Sequence, residues 1–289
     1  KDMDLSVQPC ENFYQYANGG WLKSQILPAD KARWGSFNQL ADSNRVVLMS
    51  IVKDLAASKS LKPGSPEQRV NDIYASAMNT ELLEKKGIEP MKPFLALASS
   101  LKTQSDLPTL LGELHSRGFA GGFSMGVGVD QKNSKRHMVT FSQGGTTLPD
   151  RDFYLKDDLR SKNIRDKYVP HVARMFELVG FETAQANKNA QVVMTIETKL
   201  AEIQMDRTEM RDPNKRYNVK TPQKFQEENP GFDWSTYIAG RGVSKIEDLN
   251  VVQPSFFKSF ATLSDQYSTE DWKVYLQWHV INGSAGALN

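Results

Sequence analysis

Residues 123–141, FSMGVGVDQKNSKRHMVTF, decide the fold class, because here the apolar period changes from helical to extended. Met125, Val127 and Val129 alternate with small residues, and His137, Val139 and Phe141 alternate with polar ones. A period of two sends successive side chains to opposite faces of a strand. The polar run DQKNSK between the halves supplies a turn, so the spacing predicts a two-stranded hairpin. The glycines between Gly118 and Gly128 read as the turn that leads into it.

On both sides of this stretch the period is helical. Leu48, Ile51, Val52 and Leu55 share one helix face, and Val70, Ile73, Tyr74 and Ala77 repeat the spacing. Ser65-Pro66-Glu67-Gln68 has an N-cap serine, a first-turn proline and an amide placed to close a capping box. Further stripes are Leu107, Leu110, Leu111 and Leu114; Tyr168, Val172, Met175, Phe176 and Val179 before Gly180; and Val193, Ile196, Leu200 and Ile203. Thr221-Pro222 opens a short helix, and Ser268 with Asp271 starts a last one. Met49, Met175, Trp272 and Trp278 fall on such stripes and are expected in the core. The fold class is therefore mainly α: a multi-helix domain with a small β-hairpin insertion. No repeat or low-complexity tract interrupts it.

Composition removes several functions. The 289 residues carry 36 Lys+Arg against 34 Asp+Glu, a formal charge of +2, which gives no global attraction for nucleic acid. The basic and aromatic run at 151–168 is neutralised by Asp152, Asp157, Asp158 and Asp166 and reads as a solvated helix face. No run approaches the ~20 apolar residues of a membrane span. A single cysteine, Cys10, excludes an internal disulfide framework.

Catalytic spacings are missing too. The four histidines, His115, His137, His171 and His279, show no H-E-x-x-H pattern and no pair three or four apart, so each reads as a surface or partly buried histidine. Neither GGFSMG nor GVGVDQK is a phosphate loop, and no G-x-S-x-G occurs. Asn282-Gly283-Ser284 fits a glycosylation sequon, a pattern common by chance. The small-residue tail GSAGALN follows a pattern that is still helical, so the chain is expected to be cut within a longer protein.

Six collinear stretches, together covering about residues 9–282, resemble one family. They are PCENFYQYANGGWL (9–22), ILPADKARWGSFNQL (26–40), VDQKNSKRHMVTFSQGG (129–145), LPDRDFYL (148–155), RDPNKRYN (211–218) and YLQWHVIN (275–282). This series is similar to the N-terminal portion of the neprilysin and endothelin-converting-enzyme family of zinc metallopeptidases, in its bacterial oligopeptidase type. The resemblance implies the outer, non-catalytic half of a two-domain enzyme. Residues 1–40 would pack on the catalytic domain, and 41–289 would form an incomplete helical domain walling a cavity. It further implies oligopeptide substrates, zinc held by a C-terminal catalytic portion rather than by this chain, and an extracytoplasmic setting. No catalytic or metal-binding residue is expected here.

Within the family the arginine of ARWGSF reaches the cavity in members that grip a peptide C-terminus, and that position is Arg33. Members of that kind add an aspartate and a second arginine where this chain has Asn38 and Ala41. Arg33 and Asn38 are therefore the candidate substrate-binding residues. Cys10 matches a cysteine that is disulfide-bonded in secreted animal members, while their next cysteine is Asn18 here; a bacterial-type member with few or no disulfides is implied, with Cys10 a free thiol or bonded to something outside this chain. A reading from another class is a helical peptide- or protein-binding module that keeps the fold without the chemistry. A partial chain is also expected to leave apolar helix faces without partners.

Overall fold

The computed structural model describes residues 2–26, 34–58, 60–243 and 245–288. The chain divides into two compact units, 1–80 and 81–289. Residue 40, the sequence-based limit of the N-terminal segment, falls inside a helix rather than at this division.

In the first unit, α1 (Phe13–Ser24) is capped by Asn12, whose side chain accepts from the Gln15 amide. Gly19 lies within the helix against Asp4. A Cβ at Gly19 would come 2.5 Å from the Asp4 Cβ, so only glycine admits this approach. The Asp4 carboxylate takes hydrogen bonds from Lys23 Nζ at 2.7 Å and Ser6 Oγ at 2.5 Å, which hold it below the usual carboxylate range.

α2 (Ser36–Ala57) and α3 (Pro66–Met78) form where the stripes predict them. Ser65 caps α3 through the Gln68 amide, but the Gln68 side chain accepts from Gly64 N, so the capping box is not closed. Neither helix buries a residue. Val46, Leu48, Met49 and Ile51 on α2 are 71%, 61%, 46% and 49% exposed, which corrects the core assignment of Met49.

The second unit begins one residue into α4 (Thr80–Lys86) and continues with α5 (Lys92–Ala98) and α6 (Leu107–Ser116). Then come β1 (Phe123–Asp130) and β2 (Asn133–Gln143), the predicted hairpin, with strands so extended that only Gln131 and Lys132 turn. α7 (Asp152–Leu155), α8 (Leu159–Leu178) and α9 (Thr183–Ile203) follow. β3 (Val219–Lys220), α10 (Pro222–Glu228) and α11 (Trp234–Gly240) precede β4 (Leu249–Val251), α12 (Pro254–Leu263) and α13 (Thr269–Ser284).

The hairpin thus belongs to a four-stranded sheet of order β1-β2-β4-β3. β1 and β2 are antiparallel, with Met125 opposite Phe141 and Val129 opposite His137; β2 and β4 are parallel, with Phe141 opposite Val251. Between the sheet and α10, α11 and α12 lies an aromatic core. The Phe123 ring centroid is 4.8 Å from that of Tyr237, 5.1 Å from Phe260 and 5.2 Å from Trp234. Offset and edge-on pairs at these distances add ~0.5–1.5 kcal/mol each to the area buried. A second layer packs α8, α9 and α13 together through Val172, Phe176, Val193, Ile196, Leu200, Trp272 and Trp278, each with no exposed surface. Met175 packs against the edge of this core.

Candidate functional site

Arg33, the first predicted substrate contact, lies outside the described residues. Asn38 is in the first turn of α2, half-buried, its amide bonded to Gly35 O at 2.9 Å. Cys10 is a free, exposed thiol. Among the described residues no group of three or more His, Cys, Asp or Glu side chains is placed to hold a metal ion.

What the motif residues build instead is a set of latches. In the first, Asp130 at the end of β1 accepts from the Lys132 amide at 2.9 Å, Arg136 Nε at 2.6 Å and Tyr217 OH at 2.9 Å. Arg136 reaches on to Asp248 at 3.0 Å. Lys132 N–H and Arg136 together depress the Asp130 carboxyl to about 2. The neighbouring Asn218 joins the segment before β3 to β4, donating through Nδ2 to Val251 O at 3.0 Å while its amide donates to Asn250 Oδ1 at 2.7 Å. Stretches 130–136 and 215–218, distant in sequence, are therefore one structural joint.

The second latch centres on Glu197 of α9, which has no exposed surface. Its Oε1 accepts from Thr147 N at 3.1 Å and Thr147 Oγ1 at 2.6 Å; its Oε2 accepts from Tyr154 OH and Tyr168 OH, both at 2.7 Å. Tyr154 OH also accepts from Leu148 N at 2.8 Å, and Trp278 Nε1 donates to Thr147 Oγ1 at 2.9 Å. The loop between β2 and α7 is thereby tied to α8, α9 and α13. Tyr275 extends the tie, donating to Gly145 O at 2.6 Å and accepting from Gly122 N at 2.8 Å. Gly145 sits at φ +79°, where a Cβ would fall 2.6 Å from Gly122 O, so the loop can close only on glycine.

Sequence reasoning missed Glu197. The signal was present: Glu197 lies four residues after Val193 and three before Leu200, a carboxylate within an apolar helix stripe. A charge there needs partners, because an isolated buried carboxylate is strongly disfavoured. Burial raises the Glu197 pKa, against the pull of its four hydrogen-bond donors, and their own burial, with the adjacent Glu197 charge, raises those of Tyr154 and Tyr168.

The histidines also sort differently from expectation. His137 and His171 are exposed, as read. His279, expected at the surface or partly buried, is only 4% exposed, and its Nε2 lies 4.0 Å from Glu197 Oε1 with no hydrogen-bond partner among the described residues. His115 Nδ1 is 2.7 Å from Tyr237 OH and its Nε2 is 2.9 Å from Gly121 O. Burial lowers the His279 pKa to about 3 and the His115 pKa to about 4. The unfolded chain takes up protons at both below its ordinary value of 6.5, while the fold resists them until about 4 and about 3. Stability should thus fall with pH between about 6.5 and about 4. Glu197, shifted the other way, offsets part of the loss. A melting temperature at pH 4.5 equal to or above that at pH 7.5 would contradict this account.

With this architecture established, the relatives are informative. The model of peptidase family M13 matches residues 9–289. An endothelin-converting enzyme homolog of Locusta migratoria is 29% identical over 99% of this chain and 42% of its own length. Neprilysin-3 of Drosophila melanogaster is 26% identical over 100% of this chain and 39% of its own. The crystal structure of the zinc metalloprotease ZMP1 of Mycobacterium tuberculosis, in complex with an inhibitor, superposes with a TM-score of 0.89 at 32% identity, covering 100% of this chain and 44% of that one. The chain therefore spans about two fifths of the length of the relatives it matches. The mainly helical fold with its small sheet is that of the N-terminal half of these metalloproteases. On this evidence the chain belongs to peptidase family M13, of which it represents the N-terminal region.

Proposed function

We propose that this chain is the cavity-walling region of a zinc-dependent metalloendopeptidase that hydrolyses oligopeptides, with zinc and the catalytic groups supplied by a C-terminal portion of the same protein. The observation that carries this reading is the superposition of this chain, over all of its length and 44% of the other's, on a zinc metalloprotease at a TM-score of 0.89. The latched loops and aromatic core also support it. Their polar side chains are engaged in joining loops to helices and strands. Zinc-assisted attack on a peptide bond belongs to residues outside this chain, and no step of it runs through the residues described here.

Residues 1–40 would pack on that catalytic portion. Phe13, Tyr14 and Phe37, 70%, 65% and 88% exposed, offer apolar surface for it. Size selection follows from enclosure: the intact protein should cleave oligopeptides and leave folded proteins uncut. The protein would act outside the cytoplasm, a placement that rests on the family alone and that compartment fractionation with a specific antibody tests.

Arg33 and Asn38 set the expected specificity. With Asn38 and Ala41 in place of an aspartate and a second arginine, a terminal carboxylate loses one charge-assisted contact of ~1.5–3 kcal/mol. Free-acid and amidated forms of one peptide should therefore be cut by the intact protein at similar rates. A strong preference for the free acid would refute this assignment.

A further inference from the structure

β1 is an edge strand, and the hydrogen-bonding sense of its free edge can be derived. Phe141 on β2 gives its carbonyl to Val252 N at 2.9 Å, on the β4 side of the sheet. Met125, opposite Phe141, is accordingly in a non-hydrogen-bonded pair with β2, and its own carbonyl points off the sheet. There Arg241 Nη2 meets it at 3.5 Å. By the two-residue period, the N–H and C=O groups of Val127 and Val129 point the same way. Among the described residues no strand pairs with this edge. Val127 and Val129 are 66% and 56% exposed, and a Cβ at Gly126 or Gly128 would meet nothing within 4 Å. β1 carries no lysine and no proline, two of the usual protections of such an edge.

At its start the edge opens into a cavity of about 320 Å³ lined by His115, Phe119, Gly121, Phe123, Met125 and Arg241. Among the described residues the Arg241 Nε is buried without a hydrogen-bond partner, and none of the ion pairs among them involves this arginine. The unpaired edge groups of Val127 and Val129 thus lead to a guanidinium that spends one N–H on Met125 O and keeps others free, beside a mainly apolar cavity.

We propose that this edge binds an extended acidic peptide: its backbone adds a strand to β1 at Val127 and Val129, apolar side chains lie on the two valines, and an Asp or Glu carboxylate reaches Arg241. Strand addition takes affinity from main-chain bonds and selectivity from flanking pockets. A guanidinium with N–H groups to spare beyond its bond to Met125 O is suited to a carboxylate. A second copy of the chain fits less well. In a symmetric antiparallel pair centred on Val127, the carboxylate brought towards Arg241 would be Asp130, which Arg136, Lys132 N–H and Tyr217 already hold. The proposal needs no catalysis, so it stands apart from the peptidase reading.

The test is fluorescence anisotropy on the intact protein, with EDTA present to prevent turnover. The probes are two dye-labelled, amidated hexapeptides of alternating valine and threonine, one carrying Glu and the other Gln near one end. The Glu peptide should bind about tenfold more tightly, the advantage of one charge-assisted contact. Arg241→Gln should abolish that difference, and Val127→Pro should weaken both peptides about tenfold or more, because proline removes an outward N–H and blocks edge pairing. In the unaltered protein, saturating Glu peptide should slow amide exchange at Val127 and Val129 about tenfold or more, a readout independent of whether either variant folds. Absent binding, exchange that does not change at those amides, or affinity that folded Val127→Pro and Arg241→Gln proteins retain in full would overturn the proposal. So would a dimer, formed through β1, that the peptide does not dissociate.

Discussion

Glu197→Ala is expected to destabilise the second unit by ~4 kcal/mol or more, among the largest single-residue losses in this chain. The change leaves four donors without their acceptor: Thr147 N, Thr147 Oγ1, Tyr154 OH and Tyr168 OH. Each orphaned buried polar group costs ~1–3 kcal/mol, and the cavity left behind cannot be filled by the tied loop without breaking Trp278 Nε1–Thr147 as well. Glu197→Gln keeps the volume and one acceptor oxygen but turns an amide donor towards two hydroxyls, so a smaller loss of ~1–2 kcal/mol is expected. Urea unfolding followed by tryptophan fluorescence reads both. A loss under ~1 kcal/mol for the alanine variant would mean that the loop is not held by this carboxylate.

Phe123→Ala should cost ~3–5 kcal/mol, the range for deleting a buried aromatic ring. Phe123 is 2% exposed and its ring meets those of Phe141, Phe232, Trp234, Tyr237, Phe257 and Phe260. It is also the residue that ties the base of β1 to the core, since Val127 and Val129 further along are largely exposed. Loss of the ring should therefore speed amide exchange along β1 and β2 more than along α8 and α9. Phe123→Leu, which keeps apolar volume, should cost less than half as much. Equal losses for the two, or an exchange change confined to α8 and α9, would show that the hairpin is anchored elsewhere.

Much of this architecture could be read in the chain because the informative signals are local. A period of two around a polar turn gave the hairpin, and Leu107, Leu110, Leu111 and Leu114 gave a buried helix face, each 5% exposed or less. What escaped was non-local. β4 has three residues, too few to show a period, and it pairs with β2 across about a hundred residues of intervening chain. α1 contains Gly19 and Gly20, which weaken a helix, and Gly19 is needed there only because Asp4 packs against it. Met49 lies on a genuine helical stripe, but a stripe says only which face is apolar. Whether anything in the same unit covers that face is a tertiary fact, and α2 buries none of its residues.

The candidate site was less legible than the fold. The six collinear stretches identify the family, yet their polar residues serve as joints: Asp130 to Tyr217, Thr147 to Trp278, Asn218 to Val251. Sequence spacing offers no way to tell a joint from a ligand set, since both require polar groups at fixed positions. Arg33 and Asn38 entered through resemblance alone. Glu197 could have been found by asking which charge interrupts an apolar arc and what would satisfy it there.

The central claim is that this chain contributes structure and enclosure while the hydrolytic centre is encoded elsewhere. It is tested most directly by supplying Zn²⁺ and a quenched fluorogenic oligopeptide to the 289-residue chain, alone and then joined to the C-terminal portion of the same protein. The account predicts no turnover and no stoichiometric zinc for the chain alone, and hydrolysis abolished by EDTA for the joined protein. EDTA-sensitive turnover by the chain alone, free of contaminating protease, would contradict it.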